Sequence, residues 1–580
     1  MLRPEEKTAQ IEAALRIRFF PFVLKVETPN RTDWTEERHD TDRLSRALAA
    51  FALVLQGGVD DVTAAQMVSD GENDGGIDAF LFDRNRNHLI FVQSKFKKHG
   101  VSPSQDENNK TLNGIKALQN RRFAQFNAAF QTRRDEIEEA FNTPGVKIVL
   151  VHVFLGDTFS PHVAQDLVAA CEEANILSQV MEWKAVTLST LHDGLMEEQE
   201  MGRVTAEIVL ENWSLIATPQ KAVYGQIGAA ALSALVEKEG KRLFERNIRY
   251  YLGSLGVNAA IEETVRRRPR EFFYLNNGIT AVASKIVNAP GTPQKCKFSA
   301  VDFSIVNGAQ TAGAIANASV TGTISPDAKI LITLIEIGDA KGDFGRKITE
   351  ARNRQNAVRG IHFAALDPTQ ERLRKELKII GIDYFYRPSA EARIARTDAF
   401  TVENAAVALA CCSFRVLSSN DIHQLKSQGK PVQNAVEFVV AAKREISRLW
   451  EQESSLYQQL FRENLSGLRL YRIVQMYRFV DAILAESDRT EQQYSRRTFF
   501  RHGRCFITAF VAHCVPKILE APAVLLSEPE KGQISQLVNE LAERIYAASD
   551  SSERDKGYLG TFQNLTHTQP LADKVLARLQ

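Results

Sequence analysis

The chain has 580 residues, too many for one hydrophobic core, so we expect three or so structural units. Its 44% hydrophobic and 25% charged residues are ordinary for a globular protein, and its net charge of +1 argues neither for nor against nucleic-acid binding. No apolar run approaches the ~20 residues that cross a membrane, and the charged N-terminus lacks the apolar centre of a signal peptide. We therefore expect a cytoplasmic protein that avoids membranes and keeps its six cysteines reduced.

The first 200 residues have the pattern of an α/β domain. Apolar residues at helical spacing predict a helix over 41–55 that ends at Gly57-Gly58. Two apolar runs, 77–82 and 88–96, flank a polar turn and predict a β-hairpin. The rest of the domain is expected to contain a long polar helix over 112–141, a strand buried on both faces over 146–154, a helix over 162–174 and a strand over 180–186.

The remainder divides into a mixed region and a helical region. Residues 205–400 combine helices with strand-like runs such as 298–305 and 330–337, which indicates an α+β domain. From residue 401 to 580 nearly every apolar pattern is helical. We expect helices there over 401–417, 436–450, 467–485, 498–515 and 531–547.

The hairpin carries residues suited to phosphodiester hydrolysis. A turn centred between Asn85 and Arg86 places Asp78 opposite Gln93, and strand alternation puts Gln93 and Lys95 on one face. Asp78 would offer a hard anionic oxygen to Mg²⁺ or Mn²⁺, and either the Gln93 side chain or the backbone carbonyl beside it would add a neutral oxygen. Lys95 would position the attacking water and stabilise charge that develops on the phosphate.

The segments Asp74-Gly75-Gly76-Ile77-Asp78-Ala79 and Val92-Gln93-Ser94-Lys95 resemble the Mrr-type branch of the PD-(D/E)xK nucleases. The resemblance implies a restriction-endonuclease-like fold and catalytic roles for Asp78, Gln93 and Lys95. We also expect Asp74, from the same loop, to be a metal ligand. One feature departs from the family pattern, since the predicted helix over 41–55 has no glutamate and only Asp42 near its start. Asp70, Glu72 and Asp74 are candidate substitutes in the loop. The alternatives are weaker metal binding and a catalytically inactive nuclease.

Three later segments are rich in amides. They are Phe272 to Thr280 (FFYLNNGIT), Phe303 to Thr311 (FSIVNGAQT) and Ala351 to Val358 (ARNRQNAV). Asn277-Gly278 favours a tight turn with positive φ, and Asn307-Gly308 is typical of a strand end before a helix. These segments resemble the AIPR family, named for abortive-infection phage resistance, in which an Mrr-like domain is a known companion. The family resemblance implies prokaryotic antiviral defence.

The amides are candidates for a ligand or nucleic-acid pocket, although each could instead be a turn or a helix cap. The candidate residues are Asn276, Asn277, Asn307, Gln310, Asn353 and Gln355, together with Arg268 and Arg354 from adjacent basic clusters. Arginines beside aromatic residues, as in Tyr384-Phe385-Tyr386-Arg387, suit phosphate contact and base stacking. Arginines in the C-terminal helices could contact nucleic acid or a partner subunit, but their periodicity first indicates helix packing.

Three functional hypotheses follow from these patterns. The first is a Mg²⁺- or Mn²⁺-dependent endonuclease that acts on DNA in preference to RNA and is gated by the rest of the chain. We expect such an enzyme to form at least a homodimer and to have defence-system partner proteins. The second is a catalytically inactive sensor that binds nucleic acid or a nucleotide. The third places enzymatic chemistry in the amide pocket, and it would survive the loss of Asp78.

Overall fold

A computed structural model describes residues 2–23, 34–98, 100–176, 180–199, 202–245, 247, 257–292, 294–320, 322–338, 343–354, 364, 367–387, 396–444, 446–450, 454–550 and 558–579. The chain forms two compact units. The first contains Met1–Gln199 with the short segments Lys378–Gly381 and Pro522–Val524, and the second contains the remainder. Across the described ranges, no helix is long and apolar enough to cross a membrane.

The first unit is an α/β structure around a four-stranded sheet. Its strands lie in the order β1-β2-β3-β4, with β1 and β2 antiparallel and the other two pairs parallel. The strands are β1 (Ala79–Asp83), β2 (His88–Lys95), β3 (Lys147–Phe154) and β4 (Met181–Val186). The helices are α1 (Pro4–Phe19), α2 (Glu36–Gly57), α3 (Asp61–Gln66), α4 (Gln105–Gln119), α5 (Ala128–Thr132), α6 (Arg134–Asn142), α7 (Pro161–Ala174) and α8 (Leu188–Glu198).

The hairpin has the predicted register. Ala79 pairs with Val92 and Asp83 with His88, so that the next pair outward would be Asp78 and Gln93. Strand β3 is almost wholly buried, as its apolar sequence predicts for a strand with neighbours on both sides and layers on both faces. The predicted helix end at Gly57-Gly58 is also confirmed, because Gly58 adopts a left-handed φ of 68° and closes the helix.

Two predictions for this unit are wrong. The expected long helix over 112–141 is instead α4, a short 3₁₀ turn at Phe123–Gln125, α5 and α6, because Arg121 takes a left-handed φ of 58° directly after the helix ends. Helix α2 begins five residues before the predicted start, so it does carry glutamates, Glu36 and Glu37, in its first turn. These glutamates lie about 13 Å along the helix axis from Ser45, a residue of α2 that contacts strand β2.

The second unit contains a seven-stranded mixed sheet. Its strands lie in the order β10-β7-β11-β6-β5-β9-β8, and only the β7–β11 pair is parallel. The strands are β5 (Ala206–Ile216), β6 (Ala222–Gly228), β7 (Ile279–Ala283), β8 (Lys285–Asn288), β9 (Lys295–Val301), β10 (Ser304–Asn307) and β11 (Lys329–Glu336). The helices of this part are α9 (Ala229–Glu239), α10 (Val257–Arg267), α11 (Phe272–Leu275), α12 (Ala309–Val320) and α13 (Asp343–Arg354).

The run 298–305 is two strands rather than the single predicted strand. The backbone breaks at Asp302, where φ is 56°, between β9 and β10. Alternate residues of β5 and β9, such as Ile208, Leu210 and Phe298, face the core on one side of the sheet. This alternation is what a sheet with one covered face requires.

The remainder of the second unit is mostly helical, as predicted. It contains one small parallel pair, β12 (Asp383–Phe385) and β13 (Ala399–Thr401). The helices are α14 (Pro368–Ile379), α15 (Val402–Cys412), α16 (Ser419–Ser427), α17 (Ala435–Arg444), α18 (Ser455–Leu460), α19 (Gly467–Thr490), α20 (Tyr494–Cys514), α21 (Pro516–Glu520), α22 (Glu528–Ala548), α23 (Leu559–Phe562) and α24 (Leu565–Leu576).

The aromatic and basic run at Tyr384–Arg387 is not a surface for stacking bases. Tyr384, Tyr386 and Arg387 are all buried. The Tyr384 hydroxyl bonds the Gln370 side chain, and the Tyr386 hydroxyl donates to Glu371 at 2.6 Å. The prediction of nucleic-acid contact here is therefore wrong, because these side chains are used in packing α14 against the small sheet.

Candidate metal centre and amide cluster

The carboxylate of Asp78 lies where the loop over 69–78 enters the hairpin. Its Oδ2 accepts hydrogen bonds from the backbone N–H of Ser94 at 2.6 Å and from the Ser94 hydroxyl at 3.1 Å. Its backbone carbonyl accepts from the N–H groups of Ser69 and Asp70. The backbone bonds close the loop onto β1. The side-chain bonds connect Asp78 to Ser94, which lies between Gln93 and Lys95 in strand β2.

Two more carboxylates of the same loop converge on Asp78. One oxygen from each of Asp70, Asp74 and Asp78 lies within 4.8 Å of the other two. Asp70 is held from helix α2, because the guanidinium of Arg46 contacts both its carboxylate at 3.0 Å and its backbone carbonyl at 2.9 Å. Asp74 accepts from the Gly76 N–H and from the Lys110 ammonium, each at 2.7 Å.

The electrostatics of this cluster favour a cation. Burial raises the pKa of Asp78 well above its usual value, the nearby Asp70 charge raises it further, and the hydrogen bond from Ser94 opposes the change. Burial also raises the pKa of Asp70, against the opposing charge of Arg46. A divalent cation among these oxygens would relieve the repulsion, and carboxylate oxygens are the ligands that Mg²⁺ and Mn²⁺ prefer.

The other two predicted catalytic residues lie at the end of β2. Lys95 is mostly buried and donates to the carboxylate of Glu107 on α4 at 2.5 Å. Gln93 is buried, and its carboxamide oxygen has no hydrogen-bond partner among the residues that the structure describes. An unpaired buried oxygen on this strand fits the predicted ligand role, since such an atom is costly to bury without a partner.

Sequence reasoning left one member of this site, Asp70, undecided and missed another, Glu107. The sequence presents Asp70 only as a possible loop substitute, because nothing in it reveals that Arg46 fixes this carboxylate near Asp78. Glu107 belongs to no nuclease motif, although Ser104-Gln105-Asp106-Glu107 is a capping-box signature that marks the start of α4. Glu107 fulfils that capping role and also bonds Lys95.

Close packing of glycines shapes the turn before Asp78. Gly75 and Gly76 have φ values of 67° and 77°, and α4 approaches them through its own glycine, Gly114. A Cβ atom on Gly114 would lie 2.3 Å from the Gly75 carbonyl oxygen, closer than any normal contact. The pair of loop glycines and the helix glycine therefore allow the helix to cover the carboxylate loop.

A Gly114→Ala variant is expected to unfold at lower denaturant concentration, with a loss of about 1–3 kcal/mol, because the helix must move away from the loop. Gly532→Ala is the control, since Gly532 lies inside helix α22 and a Cβ atom there would have no neighbour within 4 Å. That change is expected to stabilise by about 0.5–1 kcal/mol through helix propensity. Equal effects of the two substitutions in urea unfolding would contradict the packing argument.

The amide segments meet at one end of the sheet in the second unit. Asn307 in β10 pairs with Thr280 in β7, and its side chain donates to the Arg352 carbonyl on α13 at 2.9 Å. Asn276 accepts from the Gly278 N–H at 3.1 Å and lies 3.5 Å from the Thr311 hydroxyl. These contacts bring all three segments together, and we refer to Asn276, Asn277, Asn307 and Gln310 as the amide cluster.

The glycines of these segments have the expected conformations. Gly278 has φ of 79°, as predicted for a tight turn, but the turn follows the short helix α11 and so does not form a β-hairpin. Gly308 has φ of 91°, and a Cβ there would lie 2.9 Å from the Gly278 carbonyl oxygen. The change from strand to helix at Asn307-Gly308 is confirmed by β10 and α12.

The remaining predicted binding residues have different surroundings. Asn277 is exposed and Gln310 is half-buried. Arg268 is exposed, and its guanidinium lies 3.7 Å from a carboxylate oxygen of Glu271. The backbone of Asn353 and Arg354 lies in α13, but their side chains, like all of Gln355, are outside the described residues.

Comparison with protein-family models identifies a known family. The model of the family described as AIPR protein matches residues 244–556, more than half of the chain. This span includes the amide cluster and most of the helical region. No curated protein and no solved structure matches the chain.

Proposed function

Because the chain belongs to the AIPR family, named for abortive-infection phage resistance, we propose that it is a metal-dependent endonuclease of antiphage defence. The observation that carries the proposal is the cluster of Asp70, Asp74 and Asp78 beside the Gln93–Lys95 strand end. Metal-assisted phosphodiester hydrolysis uses such a constellation, in which hard oxygens bind a cation next to an ammonium group. DNA is the favoured substrate, and the Mrr-like nuclease resemblance of this unit is part of the proposal.

Each residue has a distinct role in this proposal. Asp78, Asp70 and Asp74 would hold Mg²⁺ or Mn²⁺, and Gln93 would add a neutral oxygen. The bound ion would acidify a water molecule and neutralise charge on the scissile phosphate. Ser94 fixes the Asp78 carboxylate through two hydrogen bonds, so little reorganisation is needed for binding.

Lys95 would orient the attacking water and stabilise the charged phosphate. Its ammonium is held by Glu107, which restricts the long side chain to one direction. Glu107 is therefore a positioning residue for Lys95, and it shields the ammonium until the phosphate replaces it as the partner.

The amide cluster would recognise the nucleic acid or infection signal that controls cutting. Amide side chains can both donate to and accept from base edges, and both Asn277 and Arg268 are exposed. Asn276 and Asn307 instead bond neighbouring backbone or side-chain groups, so they would shape the cluster. Substitution of Asn277 would then change the trigger response and leave the chemistry of the first unit unaltered.

The test is cleavage of plasmid DNA, single-stranded DNA and RNA with Mg²⁺, Mn²⁺ or a chelator. Wild-type protein should cut at least one polymer, and the chelator should stop it. Lys95→Ala should cut about 10²–10³-fold more slowly, because one electrostatic contact to the transition state is lost. Lys97→Ala is the matched control, since Lys97 is exposed two residues further along.

A catalytically inactive sensor is the second candidate. It is favoured by the ion pairs that Asp74 and Lys95 already make with Lys110 and Glu107, which satisfy these charges without a metal. Mn²⁺ titration separates the two candidates. A wild-type protein that binds no Mn²⁺ and cuts no polymer would contradict the nuclease proposal and leave the sensor.

A further inference from the structure

Two buried polar side chains lie side by side on the sheet of the first unit. Gln93 and His152 are partners across the parallel strands β2 and β3. Two residues earlier on the same face, Phe91 and Leu150 are also partners and belong to the hydrophobic core. Because side chains alternate along a strand, Gln93 and His152 project to the side that this core occupies.

A third buried polar side chain comes from the helix that covers this face. Asn108 is completely buried in the first turns of α4. It follows Glu107, which bonds Lys95, and precedes Thr111, whose hydroxyl donates to the Gly76 carbonyl at 2.7 Å. These two contacts fix this part of α4 at the strand end, and Asn108, which lies between them in sequence, is buried on the covered side of the helix.

Each of the three side chains has at least one polar atom that lacks a hydrogen-bond partner in the part of the chain that the structure describes. The Gln93 carboxamide oxygen, both polar side-chain atoms of Asn108 and both ring nitrogens of His152 have no hydrogen-bond partner among the described residues. Burial lowers the pKa of His152 to about 4, so the ring is neutral and offers one donor and one acceptor. Such a set of donors and acceptors matches the two to four partners that a buried water molecule requires.

We propose that Gln93, Asn108 and His152 share an internal water molecule, and that Asn108 and His152 act through it as positioning residues for the Gln93 carboxamide. This inference rests on the proposed nuclease function of the same unit. The Gln93 oxygen can accept at two positions, so one can face the water and the other the carboxylate cluster. Partners behind a metal ligand commonly fix its orientation and set its affinity.

The experiment compares Asn108→Leu and His152→Phe, which remove the polar atoms while keeping similar volume. Both variants should bind Mn²⁺ about tenfold or more weakly and should have reduced kcat with little change in KM. Asn109→Leu and His162→Phe are matched controls, because both positions are exposed in the same unit. His152→Gln, which restores a donor and an acceptor, should recover much of the Mn²⁺ affinity.

Thermal unfolding and a crystal structure complete the test. With a shared water, the two apolar variants should have lower melting temperatures, and the wild-type crystal should show a water within about 3 Å of all three side chains. Unchanged Mn²⁺ affinity with a raised melting temperature, or a site without a water molecule, would overturn the inference.

The same experiments distinguish failure of the inference from failure of the nuclease proposal. If the wild type binds no Mn²⁺ and cuts nothing, the nuclease proposal and the positioning role both fail, while the crystal structure still decides whether the water is there. If the wild type cuts and the apolar variants cut equally well, only the inference fails.

Discussion

An Asp78→Asn variant is expected to lose most of its affinity for Mn²⁺ and to cleave nucleic acid about 10³-fold more slowly than wild type. The substitution removes the charge that would hold the ion. It retains an oxygen that can accept the hydrogen bonds now made by the Ser94 N–H and hydroxyl. The change therefore separates the chemistry of the carboxylate from its role in closing the loop onto the hairpin.

The Asp78→Asn variant should lose activity but not stability. Burial and the nearby Asp70 charge raise the pKa of Asp78, which means that the folded state disfavours its ionised form. At neutral pH the unfolded chain carries this charge at no such cost, and a neutral asparagine removes the difference. We therefore expect a melting temperature equal to or higher than that of wild type, as is common where function requires a strained charge arrangement.

Glu72→Gln is the matched control for this prediction. Glu72 is an exposed carboxylate of the same loop, and its charge lies outside the three-aspartate cluster. Its neutralisation should leave Mn²⁺ binding and cleavage within a factor of about two. Isothermal titration with Mn²⁺ and initial cleavage rates measure both properties, and equal losses from the two variants would show that the Asp78 charge has no special role.

The hairpin could be predicted from sequence because its determinants are local. A short polar turn between two apolar runs sets the register, and the observed pair Ala79–Val92 follows from it. The end of α2 is also determined locally, since a glycine closes the helix. By contrast, the break after α4 depends on a left-handed arginine, Arg121, a residue type that gives no turn signal.

The composition of the site was only partly predictable, because long-range contacts decide it. Asp70 joins the carboxylates through Arg46, which is 24 residues away in the chain. Lys95 is a site residue by motif, but its partner Glu107 is supplied by a helix whose position depends on packing against loop glycines. Likewise, no local pattern distinguishes the buried Tyr384 from a surface tyrosine.

In the amide segments, too, local features could be predicted from sequence but long-range contacts could not. Each turn and strand end could be interpreted from its own Asn-Gly pair, but their convergence required the sheet order. Strand β10 is an edge strand that pairs with β7, and helix α13 contacts Asn307 from outside the sheet. The resemblance to the AIPR family indicates that these segments occur together, and the contacts among them give the structural reason.

The helical region of the second unit contains a fully buried arginine, Arg472. Arg472 in α19 has no exposed side-chain surface and donates to the carbonyls of Ile518 and Leu525, each at 2.9 Å. Its guanidinium also forms an ion pair with Glu530 at 2.6 Å, at the start of α22. One guanidinium thus joins a central helix to two positions in the segment that leads into another helix.

An Arg472→Leu variant is expected to lose about 3–5 kcal/mol of the free energy of unfolding of this unit, because two carbonyls and one carboxylate lose their buried donor together. Arg469→Leu is the matched control on the same helix, since Arg469 is 39% exposed and its ion pair with Glu520 is long, at 3.7 Å. That variant should lose no more than about 1 kcal/mol. Urea unfolding of both variants measures the difference, and similar midpoints would mean that the Arg472 contacts contribute no more than a surface ion pair.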